Sequence, residues 1–187
     1  MRKIIFGINL TADGCCDHRK GLPNEEVHDY FTQLIQEAGL LVYGRKTYEL
    51  MVPFWPDMAR AGTAPTKALQ DFARAFDATP KLVFSRSLSS LEDRNSKLAK
   101  AGLQDEMLKL KQEEGGDILV GGVDLPSQLI KLNLVDEFHF VIHPVIAGEG
   151  RRLLDNTELQ EQLQLMLAET KVFKSGTIGL RYTKDNR

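Results

Sequence analysis

Short runs of apolar residues, each closed by glycine or by polar residues, recur along this chain and constrain its fold most. Three of them are residues 40–43 (LLVY), 81–85 (KLVFS) and 117–120 (DILV). Runs of this length without polar alternation are typical of strands buried on both faces, as in a parallel sheet flanked by helices. Segments with helical spacing of apolar residues separate the runs, and parallel strands require such crossovers. The sequence therefore predicts a three-layer α/β fold around a mostly parallel central sheet.

The two ends of the chain supply further strands. Residues 3–10 are apolar enough for a first strand, and residues 136–145 (DEFHFVIHPV) predict a long strand late in the chain. Two more strand candidates, residues 164–173 and 177–183, are separated by a Ser-Gly turn signal. Their close succession predicts an antiparallel hairpin at the C-terminal end of the sheet.

The helices are predicted from apolar spacing and from residues that favour helix ends. Asn24 is a suitable N-cap for the first helix, and Gly39 is expected to end it. A short helix is expected to begin at Arg45, directly after the second strand. Residues 52–65 are predicted to form a loop, because prolines flank the only tryptophan, Trp55.

Length and composition limit the classes of function. With 187 residues, 42% of them hydrophobic, and a net charge of -2, the chain is expected to form a single soluble domain over residues 1–187. No basic excess indicates a nucleic-acid partner, and no apolar run approaches the roughly 20 residues that span a bilayer. The two cysteines, Cys15 and Cys16, are adjacent and provide no disulfide framework, which predicts a cytoplasmic protein.

Several of the predicted strands end in small or basic residues. Because the carboxyl ends of parallel strands share one edge of a sheet, these residues are expected to meet and to offer backbone access and positive charge to a polyphosphate. Two alternatives remain open: solvated basic residues in an ordinary strand–turn–helix, and a purely structural glycine turn. The Gly-x-Gly-x-x-Gly fingerprint is absent. The strand ends are Asp13-Gly14, Gly44-Arg45-Lys46-Thr47, Ser85-Arg86 and Gly121-Gly122.

Five motifs occur in the order and spacing of one protein family. They are NLTADG at residues 9–14, VYGRKTYE at 42–49, VFSR at 83–86, ILVGG at 118–122 and HPVIAGEGRRLL at 143–154. Together they extend over nearly the whole chain, which thereby resembles the dihydrofolate reductase superfamily. The resemblance is to the branch that includes the RibD C-terminal domain, the reductase domain of bacterial riboflavin biosynthesis. It implies a dihydrofolate reductase-like fold with an eight-stranded, mostly parallel sheet.

The resemblance also implies NADPH as the cofactor. The start of the second helix would hold the pyrophosphate, and the end of the third strand would contact the adenosine ribose and its 2′-phosphate, which suits the planar guanidinium of arginine. Residues 11–16 would form a mobile loop that covers the cofactor. The implied residues are Ile8 and Asn9 at the nicotinamide, Gly44, Arg45, Lys46 and Thr47 at the pyrophosphate, Ser85 and Arg86 at the ribose and its 2′-phosphate, and Gly121, Gly122 and Val123 along the cofactor.

The residues that would act on the substrate are less determined by the motifs. Dihydrofolate reductases carry one carboxylate on the helix after the first loop, and here Glu25, Glu26 and Asp29 compete for that role. Asp29 is the catalytic candidate, because burial beside an apolar face would raise its pKa as a proton donor requires. The alternative is that all three acids are solvated. The sequence has HDYF where many dihydrofolate reductases have a tryptophan, which argues against dihydrofolate itself.

His143, at the carboxyl end of the long strand, is the second catalytic candidate. It shares a side of that strand with His139, but no third ligand is apparent and no metal site is predicted. Arg151 and Arg152 either hold a substrate phosphate or are surface charge.

The resemblance therefore implies an NADPH-dependent reductase that transfers a hydride to a small pterin-like or pyrimidine heterocycle. One alternative is the riboflavin-pathway reduction of 5-amino-6-(5-phosphoribosylamino)uracil. Another is a protein that keeps the nucleotide pocket and has lost turnover. The expected partners are the small-molecule substrate and a second copy of the chain in a homodimer.

Overall fold

The structure, a computed structural model, describes residues 1–155 and 158–185. Strands and helices alternate along most of the chain. The strands are β1 (Ile4–Thr11), β2 (Ala38–Gly44), β3 (Lys81–Phe84), β4 (Ser96–Leu98), β5 (Asp117–Val120), β6 (Glu137–His143), β7 (Leu165–Val172) and β8 (Ile178–Lys184). The helices are α1 (Glu25–Glu37), α2 (Arg45–Met51), α3 (Phe54–Ala61), α4 (Lys67–Ala78), α5 (Leu103–Gln112) and α6 (Asp124–Lys131).

The described strands form one sheet in the order β4-β3-β2-β5-β1-β6-β8-β7. β1 is parallel to its neighbours β5 and β6, and β2 is parallel to β3 and β5. β8 pairs antiparallel with both β6 and β7. The predicted α/β class, the mostly parallel sheet and the C-terminal hairpin are confirmed.

The central strands are buried on both faces. The neighbouring residues Leu41 and Val42 of β2 are both fully buried, yet they belong to different hydrophobic cores. Val42 packs in the core that α5 and α6 cover, whereas Leu41 packs in the core that α1 and α4 cover. A strand that contributes to two cores needs apolar residues at successive positions, which explains the uninterrupted apolar runs.

The prediction that Gly39 ends the first helix is wrong. α1 ends at Glu37, and the chain enters β2 at Ala38. A Cβ atom on Gly39 would lie 2.8 Å from the backbone nitrogen of Gly116. Glycine is therefore needed here because two backbones approach closely, and not because a helix stops.

The prediction that residues 52–65 form a loop is also wrong, because they contain α3. Pro53 is the N-cap of this helix and Pro56 lies in its first turn, where the missing proline N–H costs no helical hydrogen bond. The prolines thus mark the start of a helix. This helix places Trp55 against Phe72 of α4, with the ring centroids 4.5 Å apart.

The outer strand β7 forms one edge of the sheet, and most of its side chains are exposed. The homodimer stays a prediction, because the structure contains one chain. Within residues 1–155 and 158–185, no helix is long and apolar enough to cross a membrane.

Candidate functional site

A cleft of about 1300 Å³ runs along the carboxyl edge of the parallel strands. The ends of β1, β2, β3 and β5 form its floor, and residues of α1, α2, α3 and α4 form one side. Every residue that the family resemblance assigned to the cofactor lines this cleft, and so does His143. The cofactor set is Ile8, Asn9, Gly44, Arg45, Lys46, Thr47, Ser85, Arg86, Gly121, Gly122 and Val123.

Two glycines after β5 are required by close packing against β2 and α2. A Cβ atom on Gly121 would lie 2.7 Å from Cε1 of Tyr43. Gly122 has a φ of +88°, and a Cβ atom there would overlap Oγ1 of Thr47. The pair is therefore structural, and it also leaves the backbone of this turn bare at the cleft. The structural interpretation and the ligand-binding interpretation of this glycine pair, both left open by the sequence, are therefore compatible.

Four arginine or lysine side chains line the cleft within the described part of the chain. Arg45 pairs with a glutamate on the next turn of α2 at 2.8 Å. Both guanidinium NH2 groups of Arg151 donate to the carboxylate of Asp124, at 2.5 and 3.2 Å, and these bonds lower the pKa of that carboxyl. Lys46 and Arg86 have no ion pair with any described residue. These two are the cations that remain available to a bound phosphate.

The loop after β1 is held against the segment that follows β6. The Asp13 carboxylate accepts hydrogen bonds from the hydroxyl of Thr11 and from the amides of Ala147 and Gly148. These bonds, with that of Thr11 the largest cause, lower the pKa of Asp13 to about 2. The amide of Cys16 donates to the carbonyl of Arg151 at 2.8 Å. The loop that the resemblance implied to be a mobile cover is thus bound to its neighbour at several points.

His143 is buried in the wall of the cleft, with 2% of its surface exposed. The amide of Leu22 donates to its Nδ1 at 3.3 Å, so the ring proton resides on Nε2, which donates to Oδ1 of Asn9 at 3.0 Å. Burial lowers the pKa of His143 below its ordinary 6.5. Both ring nitrogens are occupied. The geometry therefore favours a positioning role for His143, in which it orients Asn9. It does not favour the role of a proton donor.

The structure does not bring Asp29 to the cleft. Asp29 is exposed on α1, and its carboxylate acts electrostatically on Lys67 of α4. The preceding residue, His28, lines the cleft instead. One step along a helix rotates a side chain by about 100°, which separates the two neighbours. Of the other acids, Glu26 accepts hydrogen bonds from two backbone amides of the β7–β8 turn, both at 3.3 Å.

His28 is a candidate that the sequence analysis missed. Its Nδ1–H donates to the carbonyl of Asn24 at 2.8 Å, which leaves Nε2 without a partner among the described residues. The ring centroid of His28 lies 6.1 Å from that of Trp55 and 5.8 Å from that of Phe72. The sequence did contain one sign of His28 as a candidate: it is a polar residue among the apolar positions of the first helix.

His28 belongs to an aromatic surface, here called the helical wall, that α1, α3 and α4 contribute to the cleft. Phe54 and Trp55 stand edge to face with centroids 4.9 Å apart. Phe54 is 55% exposed although it lines the cleft. The helical wall consists of Val27, His28, Phe31, Ile35, Phe54, Trp55 and Phe72.

The other predicted polar candidates are engaged elsewhere. Arg152 lies 3.7 Å from the carboxylate of Asp13 and is not among the residues that line the cleft. His139 is hydrogen-bonded to the hydroxyl of Tyr30 at 2.6 Å and to Glu137 at 2.8 Å. In the described ranges, no three His, Cys, Asp or Glu side chains are grouped so that they could hold a metal ion.

Comparison with known proteins shows the family to which the chain belongs. Residues 2–178 match the family model of the RibD C-terminal domain. The chain belongs to the RibD C-terminal domain family. The chain is also 30% identical over 185 residues to the uncharacterized protein YyaP of Bacillus subtilis strain 168, and the match covers 97% of this chain and 94% of the relative. The resemblance to the RibD C-terminal domain branch, which rested on the five ordered motifs, is confirmed.

Solved structures share the fold of this chain at low sequence identity. A pyrimidine reductase-like protein from Corynebacterium diphtheriae matches with a TM-score of 0.68 and 13% identity, covering 100% of this chain and 93% of that one. Dihydrofolate reductase from Enterococcus faecalis, complexed with NADP(H), matches with a TM-score of 0.63 and 14% identity, covering 98% and 97%. These matches confirm the dihydrofolate reductase-like fold.

Gly122→Ala tests the packing between the turn after β5 and the start of α2 in the cleft. It adds a clash with Thr47 to an unfavourable positive φ, and we expect a loss of unfolding free energy of roughly 3 kcal/mol or more. The matched control is Gly62→Ala, because Gly62 also has a positive φ, of 64°, but no neighbour within 4 Å. The control should lose only about 1 kcal/mol. Equal losses in urea denaturation would show that the contact with Thr47 does not matter.

The pH dependence of stability tests the burial of neutral His143. Because its folded pKa lies below the ordinary 6.5, its contribution is complete above that pH and is lost as the pH falls through the folded pKa. His143→Gln removes this titration, so the free energy of unfolding should fall less between about pH 7 and about pH 5 than in the parent chain. His18→Gln, which changes a mostly exposed histidine of the loop between β1 and α1, is the control. An unchanged slope in His143→Gln would contradict the assignment.

Proposed function

We propose that this member of the RibD C-terminal domain family is an NADPH-dependent reductase that transfers a hydride to a small pterin-like or pyrimidine heterocycle. The observation that carries the proposal is the division of one cleft into two chemically different parts. Glycines and the unpaired cations Lys46 and Arg86 line one part, and the helical wall lines the other. A dinucleotide suits the first surface and a planar ring suits the second. Hydride transfer requires both ligands side by side.

The residues of the first part fit NADPH. Arg86 offers an unpaired guanidinium for the 2′-phosphate. It lies in a turn that Ser85 stabilises, because the Ser85 hydroxyl accepts hydrogen bonds from the amides of Ser87 and Leu88 at 3.1 and 2.9 Å. Lys46 would hold the pyrophosphate together with backbone amides near Gly44 and Thr47. Bound NADPH supplies the hydride.

Ile8 and Asn9 of β1 and Val123, the N-cap of α6, also line the cleft. Because Oδ1 of Asn9 accepts from His143, its amide NH2 group is the part that remains to donate to a ligand. His143 fixes this orientation and stays neutral. We infer that Ile8 and Asn9 border the nicotinamide, and that Gly121, Gly122 and Val123 follow the cofactor toward its phosphates.

Family membership favours a second candidate, the reduction of 5-amino-6-(5-phosphoribosylamino)uracil. That substrate carries a phosphate. Arg151 and Arg152, the cations considered for it, are instead paired with Asp124 and Asp13. These pairs lower the support for this candidate. Binding of NADPH without its oxidation by any pterin or pyrimidine would instead favour a nucleotide-binding protein without turnover.

Arg86→Ala tests the cofactor assignment. A charge-assisted hydrogen bond contributes about 1.5–3 kcal/mol, so NADPH should bind roughly 10- to 100-fold more weakly, whereas NADH, which lacks the 2′-phosphate, should change little. The readout is nicotinamide fluorescence on titration. Arg94→Ala is the matched control, since Arg94 is exposed and outside the cleft. Equal weakening of both cofactors would contradict the role of Arg86, and a parent chain that binds no NADPH would overturn the reductase proposal.

A further inference from the structure

The helical wall carries no lysine, arginine, aspartate or glutamate among its cleft-lining residues. The charged residues of α1, α3 and α4 do not line the cleft, and two pairs of them form ion pairs within their own helices. Asp57 pairs with Arg60 on α3, and Lys67 pairs with Asp71 on α4. The polar side chains of the wall are those of His28 and Trp55, and of these two only His28 offers a hydrogen-bond acceptor.

The wall also presents apolar surface that no described residue covers. Phe54 is 55% exposed, and Leu50 of α2, beside the wall, is 49% exposed, although both line the cleft. Trp55 and Phe72, which also line the cleft, contact each other with their ring planes tilted by 60° and their centroids 4.5 Å apart. Exposed aromatic side chains that line a concave site are suited to hold a flat ring by face or edge contact.

The hydrogen-bonding role of His28 is set by its neighbour. A backbone carbonyl can only accept, so the contact of 2.8 Å to Asn24 places a proton on Nδ1. In the neutral imidazole, Nε2 is then an acceptor. No described residue donates to it. A ligand on the helical wall would satisfy Nε2 with an N–H donor.

We propose that the second ligand of this cleft is an uncharged, planar heterocycle that donates an N–H to Nε2 of His28 and carries no phosphate or carboxylate. The inference rests on the reductase function proposed above and specifies its substrate class. A phosphate placed on the helical wall would lose its hydration without meeting a cation. The nearest arginines in the loop after β6, Arg151 and Arg152, already pair with Asp124 and Asp13.

The experiment measures direct binding by quenching of Trp55, which is the only tryptophan and part of the wall. The probes are 6-methyl-7,8-dihydropterin and the matched pair of 5-amino-6-(ribosylamino)uracil and its 5′-phosphate. Each titration is done without cofactor and again with NADP⁺, which cannot reduce the probe. We expect quenching by the dihydropterin and the nucleoside, with the phosphate giving no tighter binding.

Three variants locate the contact. His28→Phe keeps a flat ring without the acceptor, and it should weaken dihydropterin binding roughly tenfold. His28→Gln keeps an acceptor and should retain most of the affinity. Gln33→Ala is the control on the same helix, because Gln33 is exposed and outside the cleft. NADPH affinity, measured separately on each variant, should not change.

Three outcomes would overturn the inference: no quenching by either uncharged probe with or without NADP⁺, a phosphate that tightens binding tenfold or more, or unchanged affinity in His28→Phe. Each of these outcomes leaves NADPH binding by the parent chain intact if the proposed function is right. Loss of the proposed function would appear instead as absence of NADPH binding. The two failures are therefore distinguishable.

Discussion

Parallel pairing of the central strands is the constraint on which the rest of the structure depends. Because β1, β2, β3, β5 and β6 run in one direction, the loops that follow them meet at a single edge. Burial on both faces makes this arrangement stable, as Leu41 and Val42 show by packing into opposite cores. Apolar residues fill most of the buried positions of the central strands, whereas glycines such as Gly121 and Gly122 lie where a strand ends. Residues as distant in the chain as Ile8 and Val123 thereby line one cleft.

Charge is distributed unevenly along that cleft. The loops of the cofactor part are joined by ion pairs and hydrogen bonds, of which Asp124 with Arg151 and Asp13 with the amides after β6 are examples. These contacts neutralise some cations and leave Lys46 and Arg86 unpaired in the described structure. The helical wall is aromatic and without formal charge. One half of the site thus suits phosphates and the other suits a flat neutral ring.

The sequence predicted the sheet well because buried strands are local patterns, whereas the cofactor residues that the family resemblance implies line one cleft and stay a prediction. An apolar run followed by glycine or a basic residue specifies a buried strand and its end, and the parallel fold then brings the ends together. The substrate part was less predictable, because the choice between His28 and Asp29 depends on how α1 is rotated against α4 and the sheet. That rotation is set by packing over long sequence separations. The spacing of apolar residues along α1 indicates this rotation only weakly.

Three further differences have similar causes. α3 was interpreted as a loop because its prolines, Pro53 and Pro56, are poor helix residues except at a helix start, where they lie. Gly39 was interpreted as a helix stop because the local sequence does not show its close approach to Gly116, which lies in a distant segment. The hydrogen bonds of the loop after β1 to residues near Ala147 are equally non-local.

The most direct test of the central claim, that one cleft holds NADPH beside an uncharged ring site, is a crystal structure with NADPH bound. The account predicts the 2′-phosphate at Arg86, the pyrophosphate between Lys46 and Gly122, and the nicotinamide beside Asn9 with one face open toward His28. A cofactor bound outside this cleft, or bound in the reverse direction with its adenine against the helical wall, would contradict the account.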